Sequence, residues 1–168
     1  MRASGRRDSL DTIIGPGAPT ARRAATEAAE QALGPDDAAL IEAATATLAR
    51  HYRPLWHTIA AAIRGRDGRI WTGLHLGATV GRLSVCAEAV ALGRAILEGD
   101  GAIDTMVAVR HPKPDEAERM PAVVSPCGAC REMILDFDPG ARVIIPSADG
   151  TGLRRVPATL LLPAPYRR

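Results

Sequence analysis

The chain has 168 residues, 46% of them apolar and 24% charged, with a formal net charge of +2. That is the length of a single domain with a sizeable core and the balance of an ordinary globular protein. The near-neutral charge argues against a nucleic-acid binder built on a basic stripe, and no apolar run approaches the roughly 18 residues of a membrane helix.

Residues 1–20, rich in Arg, Ser, Gly and Pro, read as a tail. Their basic residues precede no apolar stretch, unlike a secretory signal. Thr20–Leu33 is Ala- and Glu-rich and is expected to be an extra helix, closed by Gly34-Pro35. Asp36 or Asp37 then offers an N-cap for a helix whose Leu40, Ala44 and Leu48 form one apolar face, ended by Pro54. Two strands, Thr58–Arg64 and Arg69–Ala78, flank the turn Asp67-Gly68. In the second strand Ile70, Thr72, Leu74 and Leu76 share one side, and Trp71, Gly73, His75 and Gly77 the other. A helix over Val85–Glu98 is expected to bury Ala89, Leu92, Gly93, Ile96 and Leu97 and to stop at Gly99. Ile103–Val109 reads as a strand and His111–Met120 as a loop. Ser125-Pro126 is expected to open another helix, which ends before Pro139-Gly140. Strands Arg142–Ile145 and Leu153–Val156 join through Asp149-Gly150, and a short helix over Thr159–Leu162 closes the chain. The alternation of helices and strands points to a layered α/β fold with a mixed sheet.

All three cysteines fall in two short words, Cys86-Ala87-Glu88 and Pro126-Cys127-Gly128-Ala129-Cys130. Three thiols cannot all pair as internal disulfides, and their spacing favours a metal and therefore a reducing, cytoplasmic compartment. Three thiolates can bind one zinc and leave its fourth position open, as catalytic zinc sites do; a structural site needs four protein ligands, so a histidine would have to join. Glu88 lies about 200° around an ideal helix from Cys86, poorly placed to ligate the same ion but able to move protons beside it. Both words sit at expected helix starts, whose partial positive charge favours thiolate over thiol. Three thiolates on Zn²⁺ still leave one net negative charge, and Arg131 and Arg82 are the candidates to offset it.

From about Arg53 onward the chain resembles the cytidine deaminase family, which includes blasticidin S deaminase-like members. The words that carry this are Asp67-Gly68-Arg69-Ile70, Thr72-Gly73, Cys86-Ala87-Glu88, Ser125-Pro126-Cys127-Gly128-Ala129-Cys130-Arg131 and Leu161-Leu162-Pro163. The Cys-first form of the Cys-x-Glu word is similar to the branch acting on free nucleosides rather than on polynucleotides. The resemblance implies a three-layer α/β/α fold with a five-stranded mixed sheet, a catalytic domain over 36–168 behind an accessory 1–35, and a homotetramer or homodimer. It makes Cys86, Cys127 and Cys130 the ligands of Zn²⁺ and Glu88 the proton shuttle of a hydrolytic deamination. It also implies that the Ala87 amide and the Ser125 carbonyl touch the base, and that Tyr166 closes the pocket of a neighbouring subunit.

The sugar-binding positions depart from the family. His75 and Gly77 stand where an asparagine and a glutamate hold the ribose, His57 where a phenylalanine packs on the nucleoside, and Ala89 where an arginine often follows the catalytic glutamate. A site that has lost a carboxylate would leave ribose hydroxyls unpaired. The expectation is a small-molecule deaminase of a cytosine-like or other aminated heterocycle with non-standard sugar recognition through His57, His75 and Gly77. Plain cytidine or deoxycytidine deamination, a blasticidin S deaminase-like resistance enzyme, and a non-catalytic zinc-stabilised binding protein are the alternatives. His51 and His111 read as surface or loop residues, and Trp56 and Trp71 as core or interface residues.

Overall fold

The computed structural model describes residues 32–166. The expected tail and most of the expected extra helix Thr20–Leu33 lie outside them, and Ala32 and Leu33 are not helical. The first described helix, α1 (Pro35–His51), is capped not by Asp36 or Asp37 but by Gly34, with Pro35 in the first turn. Asp37 instead reaches back to accept the Gly34 amide at 3.1 Å. It satisfies one of the amides a helix start leaves open.

Strands β1 (Ile59–Gly65) and β2 (Ile70–Leu74) form the expected hairpin, with Gly68 at φ +83° in its turn. That left-handed conformation is one glycine adopts without cost. Helix α2 (Ala87–Glu98), β3 (Ile103–Arg110), β4 (Ala122–Val124) and α3 (Gly128–Phe137) follow, then β5 (Arg142–Pro146), β6 (Leu153–Pro157) and the short α4 (Ala158–Leu161). Five strands run in the order β2-β1-β3-β5-β6, and β4, a strand the sequence pattern does not reveal, pairs with Ala108–Arg110 of β3. The β3–β5 pair is parallel and the rest antiparallel, so the sheet is mixed, as expected.

Helix α1 covers one face of the sheet. Leu40, Ala44 and Leu48 pack against Ala60, Ala62, Val107, Val109 and Ile144. Helices α2 and α3 cover the other, where Ala61, Ile63, Trp71, Met106, Val143 and Ile145 meet Ala91, Leu92, Ala95 and Ile134. The alternation of β1 and β3 residues between these two sets is the pleat of the sheet. At one end of the α1 face, Asp37, only 1% exposed, accepts from Arg64 and Arg155 at 3.1 Å each and so ties α1 to the sheet.

The buried side of α2 differs from the expected one. Ala87, Glu88, Ala91, Leu92 and Ala95 face inward, whereas Ile96 is 41% and Leu97 86% exposed. The inward stripe is made of alanines because α2 lies very close to β2. A Cβ placed on Gly73 would collide with the Ala87 carbonyl and the Ala91 amide. A strand glycine marks such a close backbone approach.

Candidate metal centre

Each cysteine is placed by a helix start. Cys86 is the N-cap of α2 and Cys127 that of α3, where Ser125 was expected; Cys130 follows in the first turn of α3. The two helices pack on the same face of the sheet and bring residues 41 apart in sequence together. The Cys86 and Cys127 sulfurs stand 3.8 Å apart, those of Cys127 and Cys130 3.6 Å, and all three lie within 4.8 Å of one another. No disulfide joins them. A tetrahedral ion with zinc–sulfur bonds of about 2.3 Å sets its sulfurs about 3.8 Å apart, so this donor set fits zinc in number, softness and spacing.

The thiols of Cys86 and Cys130 are pushed up by burial, and for Cys130 the nearby negative charge of Glu88 is the next largest cause. Cys127 goes the other way. Burial opposes its ionisation, but the amides of Cys130 and Ala129 and the neighbouring thiols outweigh it and hold the group low. The helix start thus favours ionisation of one sulfur, while burial opposes it at the other two, where a cation would offset that cost.

Glu88 is 6% exposed, in the first turn of α2. Its charge acts on both Cys86 and Cys130, which places a buried carboxylate beside the sulfur cluster without its being part of that cluster. Ala87 is buried, and Ser125 and Cys127 are exposed, so the site opens to solvent on the α3 side. Arg131 donates to the carbonyls of Pro126, at 2.9 Å, and Leu161, at 3.1 Å. It therefore fastens the residue before Cys127 to the end of α4. Arg82 sits exposed in the 3-10 turn Gly81–Leu83. Tyr166 is 77% exposed, and its amide donates to Glu132 of α3.

His57 and His75 are brought together: the His57 ring Nδ1 lies 2.8 Å from the His75 carbonyl. Gly77 donates its amide to the Trp56 carbonyl at 2.7 Å, and a Cβ there would meet the Leu55 carbonyl at 2.6 Å. Gly77 is thus required by the packing of the Leu55–Trp56 segment. Periodicity gave no sign of this, because the segment is an irregular turn with Leu55 at φ +67°. Of the residues read as structural, Trp71 is in the core, Trp56 lies under the Arg53 guanidinium, and His111 stacks on Tyr52 at 3.6 Å.

Comparison with known proteins agrees with this site. Residues 35–146 match the family described as the cytidine and deoxycytidylate deaminase zinc-binding region. The chain is 47% identical over 109 residues to blasticidin-S deaminase of Bacillus cereus, covering 65% of this chain and 78% of that one. It is 29% identical over 83 residues to cytidine deaminase of Sporosarcina psychrophila, covering 49% of this chain and 55% of that protein. Among solved structures, the cytidine deaminase of Burkholderia pseudomallei superposes with a TM-score of 0.61 at 28% identity, over 77% of this chain and 98% of that one. That of Bacillus anthracis superposes with a TM-score of 0.64 at 22% identity, over 77% and 88%, a likeness of fold. With its three-sulfur cluster, buried glutamate and mixed sheet between helical layers, this chain belongs to the zinc-binding cytidine and deoxycytidylate deaminase family.

Proposed function

We propose that this protein hydrolytically deaminates a cytosine-like ring whose N-linked portion is not an ordinary ribose, with blasticidin S as the first substrate to test. The observation that carries the reading is the buried Glu88 carboxylate beside three sulfurs spaced for one zinc ion. The 47% identity to a blasticidin-S deaminase supports the choice of substrate.

In this reading Cys86, Cys127 and Cys130 hold zinc, whose Lewis acidity makes water nucleophilic near neutral pH. Glu88 takes a proton from the attacking water and passes it to the ring nitrogen beside the amino-bearing carbon. It then takes the proton of the newly formed C–OH group and delivers it to the departing amine. The C–N bond breaks as the ring C=O forms, and the products are the oxo-heterocycle and ammonia. The Ala87 amide and the Ser125 carbonyl hold the edge of the base. Arg131, in the first turn of α3, offsets thiolate charge and fixes the Cys127 loop through Pro126; exposed Arg82 is the second candidate for the charge. His57 and His75 line the sugar side, against a wall in which Gly77 admits the Leu55–Trp56 turn.

Residues 36–168 form the catalytic unit, with 1–35 accessory to it. Several copies assemble, as a homotetramer or homodimer, with Tyr166 of one copy reaching the pocket of another. Free thiols suit a reducing, cytoplasmic setting. No helix of the described residues is long and apolar enough to cross a membrane, and no nucleic-acid partner is expected at this net charge. Ordinary cytidine deamination is the second reading, favoured by the relatives named for it.

Ammonia release from blasticidin S, cytidine, deoxycytidine and aminopurines by the zinc-loaded chain tests the proposal. Blasticidin S or another sugar-altered cytosine nucleoside should have the highest kcat/KM, and Glu88→Gln should keep one zinc while turnover falls about 10²–10⁴-fold. Cytidine as the best substrate would establish the second reading. A zinc-loaded protein that releases no ammonia from the whole panel is a binding protein.

A further inference from the structure

Cys127 and Cys130 form a unit of their own inside the metal centre. Cys127 is the N-cap of α3 and exposed, and Cys130, three residues on, is fully buried in the first turn of the same helix. Their sulfurs stand 3.6 Å apart, against 3.8 Å between Cys127 and Cys86. A Cys-x-x-Cys pair at a helix start, with its first sulfur open to solvent and its second covered, has the disposition of a dithiol that cycles with a disulfide.

Local structure favours this pair over either pair with Cys86. The intervening Gly128 and Ala129 are small and exposed, and a Cβ on Gly128 would meet nothing within 4 Å, so the approach to Cys127 is open. The Arg131 amide donates to the Cys127 carbonyl at 3.0 Å and holds both cysteines in one turn. Residues three apart at a helix surface are neighbours, and rotation of their side chains can close the sulfurs to the bonding distance of about 2.05 Å. Cys86 belongs to α2, so a bond to it would have to draw two separately packed helices together. The sulfurs also stay electron-rich. Three thiolates on Zn²⁺ leave a net negative charge, Arg131 spends its hydrogen bonds on the carbonyls of Pro126 and Leu161 rather than on a sulfur, and Ala89 brings no cation. Oxidation selects sulfurs with such thiolate character and exposure.

We propose that Cys127 is an oxidation site and Cys130 its resolving partner: hydrogen peroxide joins them in a disulfide and removes two of the three zinc ligands. The Cys127 sulfur attacks one peroxide oxygen, the O–O bond breaks, hydroxide leaves, and Cys127 becomes a sulfenic acid. The Cys130 sulfur then attacks the Cys127 sulfur. The S–S bond forms, the S–O bond breaks, and a second hydroxide leaves. The two thiolates give up two electrons in all, and the peroxide takes them. Cys86 alone cannot hold the ion, since a catalytic zinc site needs three protein ligands. The metal is lost and deamination stops until a dithiol reduces the bond. This rests on the three-sulfur zinc site and not on which ring is deaminated.

The test is a peptide map of the zinc-loaded full chain after hydrogen peroxide, with free thiols blocked by iodoacetamide in denaturant and trypsin digestion without reductant. Trypsin leaves Cys127 and Cys130 in one peptide, 120–131, and Cys86 in another, 83–94, so the pairing is read directly. Peptide 120–131 should be unalkylated and two hydrogens lighter than its dithiol form, and peptide 83–94 alkylated. Zinc, read with a chromogenic chelator, should enter solution in step with the disulfide, and dithiothreitol with added zinc should reverse both changes. Peptide 83–94 cross-linked to 120–131 overturns the assignment of the pair. Zinc retained under excess peroxide, with all three cysteines alkylated, overturns the sensitivity, and sulfinic acid at Cys127 without a disulfide overturns the role of Cys130. Ammonia release from blasticidin S and cytidine is read in parallel. Disulfide and zinc loss in a chain that never releases ammonia support this inference and refute the deaminase reading, and ammonia release that peroxide leaves unchanged does the reverse.

Discussion

Gly73→Ala probes the contact that seats the catalytic helix. The added Cβ would overlap the Ala87 carbonyl oxygen and the Ala91 amide nitrogen and stand 2.9 Å from the Ala91 Cα. Non-bonded carbon contacts settle at 3.5–4.0 Å, so α2 must retreat from β2 by about 1 Å. Because the obstacles are backbone atoms, no rotamer change relieves them, and the cost belongs at the upper end of the roughly 1–3 kcal/mol of overpacked cores. At this chain length that is a Tm loss of roughly 3–4 °C per kcal/mol. The same retreat carries Cys86 and Glu88 with it. A 1 Å misplacement at a reacting site costs about 10²-fold in rate, and the 3.8 Å Cys86–Cys127 separation that suits zinc is lost. Chemical denaturation, zinc affinity against a competing chelator, and ammonia release measure the three effects. Gly93→Ala in the same helix is the control: its Cβ meets nothing within 4 Å, and the alanine should stabilise by about 0.5–1 kcal/mol. The reasoning fails if Gly73→Ala unfolds at the wild-type denaturant midpoint and holds zinc within twofold of wild type.

Zinc binding should release protons at pH 7, since burial favours the protonated thiol at Cys86 and Cys130 in the metal-free protein; calorimetry in buffers of different ionisation enthalpy should show two or more, and none would refute the assignment. Both thiols are raised above their unfolded value, so their contribution to stability is complete below the ordinary thiol pKa of about 8.5 and is lost as pH rises above it. The metal-free protein should therefore weaken between pH 8 and 10, and a denaturation midpoint constant over that range would count against it. Asp37→Ala removes the buried acceptor shared by Arg64, Arg155 and the α1 cap, while Arg64 keeps Asp104, and should cost about 1–3 kcal/mol by urea denaturation; a loss below about 0.5 kcal/mol would show that the clamp is dispensable.

The metal chemistry of this protein is written in local words. Cys86-Ala87-Glu88 and Pro126-Cys127-Gly128-Ala129-Cys130 name a donor set, a proton carrier and two helix starts, because a ligand's element and its spacing along one turn are properties of adjacent residues. Alternation along β1, β2, β3, β5 and β6 and the glycine turns at Gly68 and Gly150 were equally legible, since pleat and turn chemistry are local too. What depends on approach between distant segments was not. The inward side of α2 followed from how close a strand glycine lets a helix come, so alanines rather than Ile96 and Leu97 became the buried stripe. The three-residue β4 exists only because β3 offers it an edge. Gly77 read as a lost carboxylate, yet the Leu55–Trp56 turn occupies the space a side chain would need. Sulfurs 41 residues apart meet only because α2 and α3 pack on one face of the same sheet: a chain records which groups it carries, and the packing of its layers sets the distances between them.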